Sequence, residues 1–443
     1  MAHPEPPSYL DNLDSDLPVY DELPTQSAVH NSEPRPFEYQ IKDSNGWWAM
    51  LTVKGDGRLS NATEPTILQG TNVTGSVKLA LRKAEPIQAI HITVRGEVLG
   101  GTPAESTGVP IVFLKVKKAL WSSSEGDTNE PSKTESASGL PLQGDYHWPF
   151  SIELPAEITN NNKSYRLPKS FGTGIGYFTL QYVVELHIVR PALHLGRDEK
   201  LPVIFNYFPL SKPAAPSPLR ALAYQENSPL LGPDADPEGW NTKSFIISGE
   251  IFSTRKVDNI LVKLSLAKPL SYTRSVSIPC ALTIESTDQE VVDLLSKPEA
   301  PMIYLECTTQ QNPQQYRTTM EPCAKASLWT PPGGERGQLM GEIHLKPTLY
   351  PSTNFAAYGY RVVYTVALFP FQAIGFKQTG DIEPVEGSRQ VVEICTQYAP
   401  GPRPKTYSPV PGPGEGRSDV IDSYYRLRAA TTMEVASEEP LWE

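Results

Sequence analysis

The sequence has only four cysteines in 443 residues, and no two of them stand close together in the chain. A disulfide framework or a zinc site needs cysteines at short, repeated spacings, and no such spacing occurs here. We therefore predict reduced thiols, with no metal and no cofactor bound by them. The four are Cys280, Cys307, Cys323 and Cys395.

Long apolar segments are missing as well. No run reaches the roughly 18 apolar residues that a membrane-spanning helix needs. The first residues, MAHPEPPSYLDNLDSD, are acidic and proline-rich, and they lack the basic and apolar regions of a secretory signal. We expect a cytoplasmic protein, and its recruitment to the plasma membrane or to endosomes stays open.

Motifs for catalysis are absent too. The chain contains no GxSxG, P-loop or HExxH motif, and its seven histidines include no pair at metal-ligand spacing. The net charge of −11 disfavours nonspecific nucleic-acid binding, which requires a basic surface. These absences predict a protein with no catalytic residue and no nucleic-acid partner, while peripheral contact of a local basic patch with anionic lipid stays open.

Proline, in contrast, is abundant, with 44 residues, or about twice the ordinary share. Several runs between the prolines alternate apolar and polar residues with a period of two, which is typical of half-buried strands. We therefore predict an all-β chain with a single short helix at residues 288–296, capped by Asp288. In the run VTGSVKLALRK, the residues that share the buried face are Val73, Gly75, Val77, Leu79 and Leu81.

Changes in composition divide the chain into five parts. Two strand-rich regions are separated by a connector that is rich in proline, and the two ends are too polar or too rich in proline and glycine to form a core. The predicted parts are a disordered acidic tail at 1–36, a β-sandwich at 37–208, a connector at 209–240, a second β-sandwich at 241–398 and a disordered tail at 399–443.

The two strand-rich regions share an order of features. In the first, GDYHWPFSIELP at 144–155 is followed by LP-x-SF and a long strand, GYFTLQYVVELHI. In the second, GEIHLKP is followed by YGYRVVYTVALFP, so that Tyr182 aligns with Tyr364. This shared order predicts an internal repeat. The aligned strand of the first region buries one face, made of Leu180, Tyr182, Val184, Leu186 and Ile188.

The pattern H-x-PF-x-hydrophobic-x-LP, then LP-x-SF and an aromatic strand, resembles the N-terminal domain of arrestins of the α-arrestin type. The resemblance covers about residues 40–400. It implies two tandem immunoglobulin-like arrestin β-sandwich domains between disordered tails. It also implies a cytosolic adaptor, with plasma-membrane transporters or receptors as its cargo.

A short motif in the N-terminal tail adds a second partner. Pro6, Pro7 and Tyr9 form PPSY, a PPxY motif, and Pro18 and Tyr20 form the related LPVY. Proline favours a polyproline II helix, which docks into an aromatic groove at a low entropic cost. In α-arrestins such motifs recruit HECT-type ubiquitin ligases through WW domains, mostly from a position after the arrestin body. Here the motif precedes the body.

Other functions stay open. Tyr424 and Leu427 match a Tyr-x-x-hydrophobic sorting signal, a four-residue pattern that is common by chance. A trafficking scaffold of the retromer-subunit kind would share the arrestin fold without recruiting a ligase. A β-sandwich enzyme or lectin is disfavoured, because the chain has neither a secretory signal nor a catalytic constellation.

Overall fold

The computed structural model of the chain describes residues 33–61, 63–100, 109–124, 126–127, 141–172, 178–191, 198–311, 317–380, 383–410 and 421–425. Of these residues, 57% are in strands and 8% in helices, which confirms the predicted all-β class with little helix. In this part of the chain no helix is both long and apolar enough to cross a membrane.

The first half of the described chain forms a β-sandwich of curled sheets. One sheet has the order β1-β2-β4-β8, and the other has the order β3-β13-β12-β5-β6-β7 with β11 paired to β12. The strands are β1 Arg35–Asp43, β2 Gly46–Gly55, β3 Thr66–Leu68, β4 Val73–Glu85, β5 Ala89–Gly100, β6 Ile111–Ser122, β7 Gly126–Asp127, β8 Leu142–Ile152, β9 Glu157–Asn160, β10 Lys163–Arg166, β11 Phe171–Gly172, β12 Phe178–Val189 and β13 Glu199–Phe208.

The alternation in the sequence correctly predicts which faces are buried. In β4, every second residue from Val73 to Leu81 is buried, and the residues between them are at least partly exposed. The predicted apolar face of β12, from Leu180 to Ile188, is likewise buried throughout. Glu185 of the same strand is also buried, and it lies 3.1 Å from Arg95 of β5. Period-two patterning therefore fixes the inward face of both sheets.

The second half forms one continuous, curled sheet with the order β16-β24-β22-β18-β19-β20-β17-β15-β14-β23. It folds into two layers because β19 pairs with β18 along its first part and with β20 along its last part. The strands are β14 Trp240–Ile251, β15 Arg255–Ala267, β16 Ser271–Thr273, β17 Ser277–Glu285, β18 Met302–Gln311, β19 Arg317–Trp329, β20 Gln338–His344, β21 Thr353–Phe355, β22 Tyr360–Phe369, β23 Phe376–Gln378 and β24 Gln390–Cys395.

The two halves repeat the same strand order. The layer β1-β2-β4-β8 corresponds to β14-β15-β17-β20, and the layer β3-β13-β12-β5-β6 corresponds to β16-β24-β22-β18-β19. Each half also contains a short parallel pair, β3 with β13 and β16 with β24. The internal repeat predicted from the aligned sequence features is therefore present in the topology of the chain.

The two tyrosines that the sequence aligns occupy equivalent positions in the two halves. The Tyr182 hydroxyl donates a hydrogen bond of 2.8 Å to the carbonyl oxygen of Pro168, and the Tyr364 hydroxyl donates one of 2.9 Å to that of Tyr350. Each bond spans 14 residues. Burial raises the pKa of both phenols well above the ordinary value, so both keep their protons and serve as donors.

Removing the Tyr182 hydroxyl should destabilise the first half. In Tyr182→Phe the ring still packs, but the buried carbonyl of Pro168 loses its donor, so we expect the free energy of unfolding to fall by about 1–2 kcal/mol. Urea denaturation would measure the change. Tyr39→Phe is the matched control, because the Tyr39 hydroxyl bonds Thr63 at an exposed site, where water can replace it. Equal losses in the two variants would contradict this account.

In the described part of the chain, two α-helices lie between strands. Helix α2, Gln289–Leu295, lies where the sequence predicts it, and the Asp288 carboxylate caps it by accepting from the backbone N–H groups of Glu290 and Val291. Helix α1, Pro218–Glu226, lies in the proline-rich connector, where we predicted no helix. Ser217 caps α1 and proline follows at its first position, which are standard helix-start signals. The connector is therefore partly helical, and α1 buries three of its side chains, Arg220, Ala223 and Tyr224.

Candidate functional site

Most of the predicted binding residues lie outside the part of the chain that the structure describes. These are Pro6, Pro7, Tyr9, Pro18 and Tyr20 of the N-terminal motifs, and Leu427 of the sorting signal. Tyr424 is the one predicted site residue with a described position. The structure adds three features that the sequence does not indicate: a C-terminal segment packed on the second half, an aromatic junction between the halves, and a cavity lined by two cysteines.

Tyr424 is buried, with only 5% of its surface exposed. It belongs to a helical turn at residues 421–425, and its ring meets the Phe369 ring edge-on at a centroid distance of 5.2 Å. A sorting signal has to present its tyrosine to a partner, so this packing contradicts the accessibility that the predicted signal requires. Ile421, Tyr424 and Tyr425 share an apolar cluster with Met302, Tyr304, Ala367 and Phe369 of the second half.

A buried carboxylate holds this helical turn in place. Glu306 in the middle of β18 is 0% exposed, and it accepts a hydrogen bond of 2.6 Å from Arg389 and one of 2.9 Å from the Tyr425 hydroxyl. Burial, with a further contribution from the charge of Glu306, raises the pKa of Tyr425 well above its ordinary range. The phenol therefore stays protonated and donates to the carboxylate. An ion pair and a hydrogen bond together compensate the buried charge.

A second buried carboxylate fixes residues 399–410. Glu342 of β20 accepts hydrogen bonds from the backbone N–H groups of Tyr407 and Ser408, at 2.9–3.0 Å, and from the Ser408 hydroxyl at 2.8 Å. Ser277 donates to it as well, and the Tyr407 hydroxyl bonds the carbonyl of Ser228. We call residues 399–410 and 421–425 the C-terminal strap. The prediction of disorder over 399–443 is thus wrong for the strap.

An aromatic junction joins the two halves. Phe355 of β21 is fully buried, and its ring meets the edge of Phe113 at 5.0 Å and of Tyr165 at 6.1 Å, both from the first half. Tyr358 stacks on the Phe355 ring at 4.7 Å and also lies 5.7 Å from the Phe113 ring. Gly96 leaves room for this packing, because a Cβ atom there would lie 2.3 Å from the Phe113 ring.

The junction continues in a second set of rings. Phe178 of β12 stacks on Tyr360 of β22 with a centroid distance of 5.5 Å, and Phe171 of β11 lies 5.0 Å from the same ring. The Lys169 ammonium lies 4.9 Å from the centre of the Tyr350 ring, a cation–π contact at the edge of the junction. Contacts of this kind bury apolar area and fix ring orientation, so the junction holds the two halves against each other.

A cavity of about 540 Å³ opens beside this second set of rings. Its volume falls in the range of small-molecule sites. Its lining includes Phe171 of the first half and, from the second half, Tyr350, Tyr360, Cys307, Cys323 and Lys346. The wall is a mixture of apolar rings, thiols and charged side chains.

Cys307 and Cys323 are hydrogen-bonding neighbours on the cavity wall, although 16 residues separate them in the sequence. The hydrogen bond with Cys323 lowers the pKa of the Cys307 thiol by more than burial raises it, and the pKa of Cys323 is raised in return. Thr309 adds a further contact, at 3.7 Å from Cys307 Sγ. The sequence does not indicate this pair, because it depends on how β18 and β19 are aligned.

All four cysteines are free thiols in this structure. In the described ranges, no group of three or more His, Cys, Asp or Glu side chains could hold a metal ion. The features of the candidate site are therefore two buried carboxylates that hold the strap, an aromatic junction and a pair of thiols at a cavity.

A comparison of the chain with protein-family models and with curated proteins finds no match.

Proposed function

We propose that the chain is a non-enzymatic cytosolic adaptor of the arrestin type. It would link a plasma-membrane transporter or receptor, as cargo, to a HECT-type ubiquitin ligase, and so direct the cargo to ubiquitination, endocytosis and sorting. The observation that carries this proposal is the repeated strand order of the two halves, which is what tandem immunoglobulin-like sandwiches of the arrestin type would produce. The PPSY motif supplies the ligase half of the proposal.

The junction supports the cargo half. Rings from β6, β11 and β12 pack on rings from β21 and β22, so the two halves are held against each other. A cargo segment that contacted both halves would gain affinity from two sites at one binding event. Because the buried rings already hold the two halves together, the chain would lose less conformational entropy when it binds cargo.

The position of the motif supports the ligase half. Tyr9 lies 26 residues before Arg35, where β1 begins. A chain of that length can reach at most about 90 Å from the body, at roughly 3.3–3.6 Å per residue. A WW domain bound at PPSY can therefore lie near any face of the sandwiches. The LPVY copy would raise the effective concentration for a ligase that carries several WW domains.

Replacing Tyr9 by alanine should remove most of the ligase affinity. The motif docks through few side chains, so the Tyr9 ring should be a hot spot of about 2 kcal/mol or more. That free energy corresponds to a loss of roughly thirtyfold in affinity. Titration of the full-length chain against a panel of WW domains would measure it. Tyr9→Ala together with Tyr20→Ala should abolish the remaining binding.

Ser8→Ala is the matched control, because Ser8 occupies the variable position of the motif, and this variant should bind like the wild type. If the wild type and Tyr9→Ala bind equally, or if no WW domain binds either, the ligase half of the proposal fails. The scaffold without ligase recruitment then takes its place.

A further inference from the structure

The cysteine pair owes its geometry to a β-bulge. Strands β18 and β19 pair in regular antiparallel register from Gln311 with Arg317 as far as Glu306 with Pro322, and the register then shifts so that Leu305 faces Ala324. Cys323 is the extra residue at this shift. A bulge re-aims the side chain of its extra residue, and here Cys323 lines the same cavity as Cys307 of the neighbouring strand.

The bulge lies at the corner of the second half. Lys325 is the last residue of β19 that pairs with β18, and Ala326 is the first that pairs with β20. Strand β19 therefore leaves one layer for the other after Lys325, two residues beyond Cys323. Cys307 pairs directly with Glu321, so Cys323 is its diagonal neighbour on the adjacent strand, and a disulfide needs the two Cα atoms to come within about 7 Å. A disulfide between the two thiols would covalently link β18 and β19 at this corner.

Cys307 and Cys323 differ from the other two cysteines because they can be reached through the cavity. Cys307 and Cys323 both line the cavity of about 540 Å³, and Cys323 is also partly exposed at the surface. Cys280 and Cys395 are fully buried and do not line the cavity. Burial also raises the pKa of Cys395 to about 12, which makes it a poor nucleophile. A small oxidant in the cavity can therefore reach Cys307 and Cys323, but not Cys280 and Cys395.

We infer that Cys307 and Cys323 are a two-electron redox pair, which a hydroperoxide entering the cavity converts into an intramolecular disulfide. In the first step, the Cys307 thiolate attacks the terminal peroxide oxygen, an S–O bond forms, the O–O bond breaks, and Cys307 becomes a sulfenic acid. The departing oxygen takes up the proton that the thiol gave up and leaves as an alcohol or as water. In the second step, Cys323 attacks the sulfenic sulfur, the S–O bond breaks, and water leaves. Two thiols are oxidised and one hydroperoxide is reduced.

The geometry also assigns the two roles. Cys307 is the thiol that Cys323 and Thr309 can support with hydrogen bonds, and donors of this kind stabilise a thiolate. Lys346 and Glu321 both line the cavity, and their charges act on Cys323 in opposite directions. The hydrogen bond with Cys307 is the main cause that raises the pKa of Cys323, and oxidation of Cys307 removes this cause, so Cys323 then becomes available as the resolving thiol. This inference does not depend on the proposed adaptor function.

Peroxide titration of the full-length chain, followed by denaturation and thiol alkylation, tests the inference. We expect a mass loss of about 2 Da with loss of alkylation at Cys307 and Cys323 only, reversed by dithiothreitol. The two should be oxidised on the order of tenfold faster than Cys280 and Cys395, which serve as internal controls.

Two variants separate the steps. Cys323→Ser should accumulate a sulfenic acid at Cys307 that dimedone traps, whereas Cys307→Ser should form neither a disulfide nor a trapped adduct at Cys323. Full alkylation of the wild-type pair after peroxide treatment would overturn the inference. So would equal oxidation of all four cysteines, which would indicate unfolding and not a site. Because the wild-type experiment decides the question, a poorly folding variant does not weaken the test.

Discussion

Replacing Phe355 by alanine is expected to lower the free energy of unfolding by about 3–5 kcal/mol, the range for truncating a buried aromatic ring. The ring is fully buried and contacts three others, two of them from the opposite half of the chain. Its removal leaves a cavity at the junction, which the stiff β-strands on both sides cannot close. Chemical denaturation, monitored by tyrosine and tryptophan fluorescence, would measure the loss.

An exposed phenylalanine supplies the matched control. Phe252 is 58% exposed at a turn in the second half, and Phe252→Ala should change the free energy of unfolding by less than about 0.5 kcal/mol. Phe355→Ala should also make the two halves unfold in separate transitions, because the coupling between them is weakened. A loss below about 1 kcal/mol with a single transition would contradict the importance that we assign to the junction.

Replacing Arg389 by methionine is expected to destabilise the chain by about 2–3 kcal/mol. The change removes the cation that pairs with Glu306 and leaves the carboxylate of this fully buried side chain without that counterion. Breaking a wholly buried pair costs about 3–5 kcal/mol. Arg389 is 39% exposed, however, so the effect should be smaller. The strap should also loosen, because Arg389 contacts the Tyr424 hydroxyl and Tyr425 shares Glu306 with it.

The rescue variant distinguishes a charge effect from lost packing. Adding Glu306→Gln to Arg389→Met removes the buried charge and retains an amide oxygen that can accept from Tyr425, so most of the stability should return. Denaturant unfolding measures the stability of both variants, and hydrogen exchange at residues 421–425 reports the strap. If the double variant is as unstable as Arg389→Met alone, the loss comes from packing and the electrostatic explanation is wrong.

Local patterning predicts much of this fold, because it depends on residues next to each other in the chain. The alternation in β4 and β12 identifies their buried faces, and the aligned strands around Tyr182 and Tyr364 indicate the repeat that the topology contains. Helix α2 follows from its cap at Asp288. Helix α1 has start signals at Ser217 and Pro218, but the high proline content of the connector favours an extended chain over a helix.

The features of the candidate site depend on distant partners instead. The strap has the composition of a disordered tail, yet Glu342 binds it across 65 residues of sequence. No local pattern indicates that a buried carboxylate elsewhere will accept its backbone N–H groups. The thiol pair depends on a register shift in β19, and a shift of one residue cannot be read from composition or periodicity. For the same reason, the burial of Tyr424 could not be foreseen from a four-residue motif.

Proximity labelling in the source cells tests the adaptor proposal most directly. The chain would carry a labelling enzyme at one end, and the wild type would be compared with the variant that combines Tyr9→Ala and Tyr20→Ala, with Ser8→Ala as control. We predict that the wild type and Ser8→Ala label both a HECT-type ubiquitin ligase and plasma-membrane transporters. The double variant should still label the transporters and lose the ligase. Labelling of transporters without any ligase in the wild type, or an unchanged ligase signal in the double variant, would contradict the proposal.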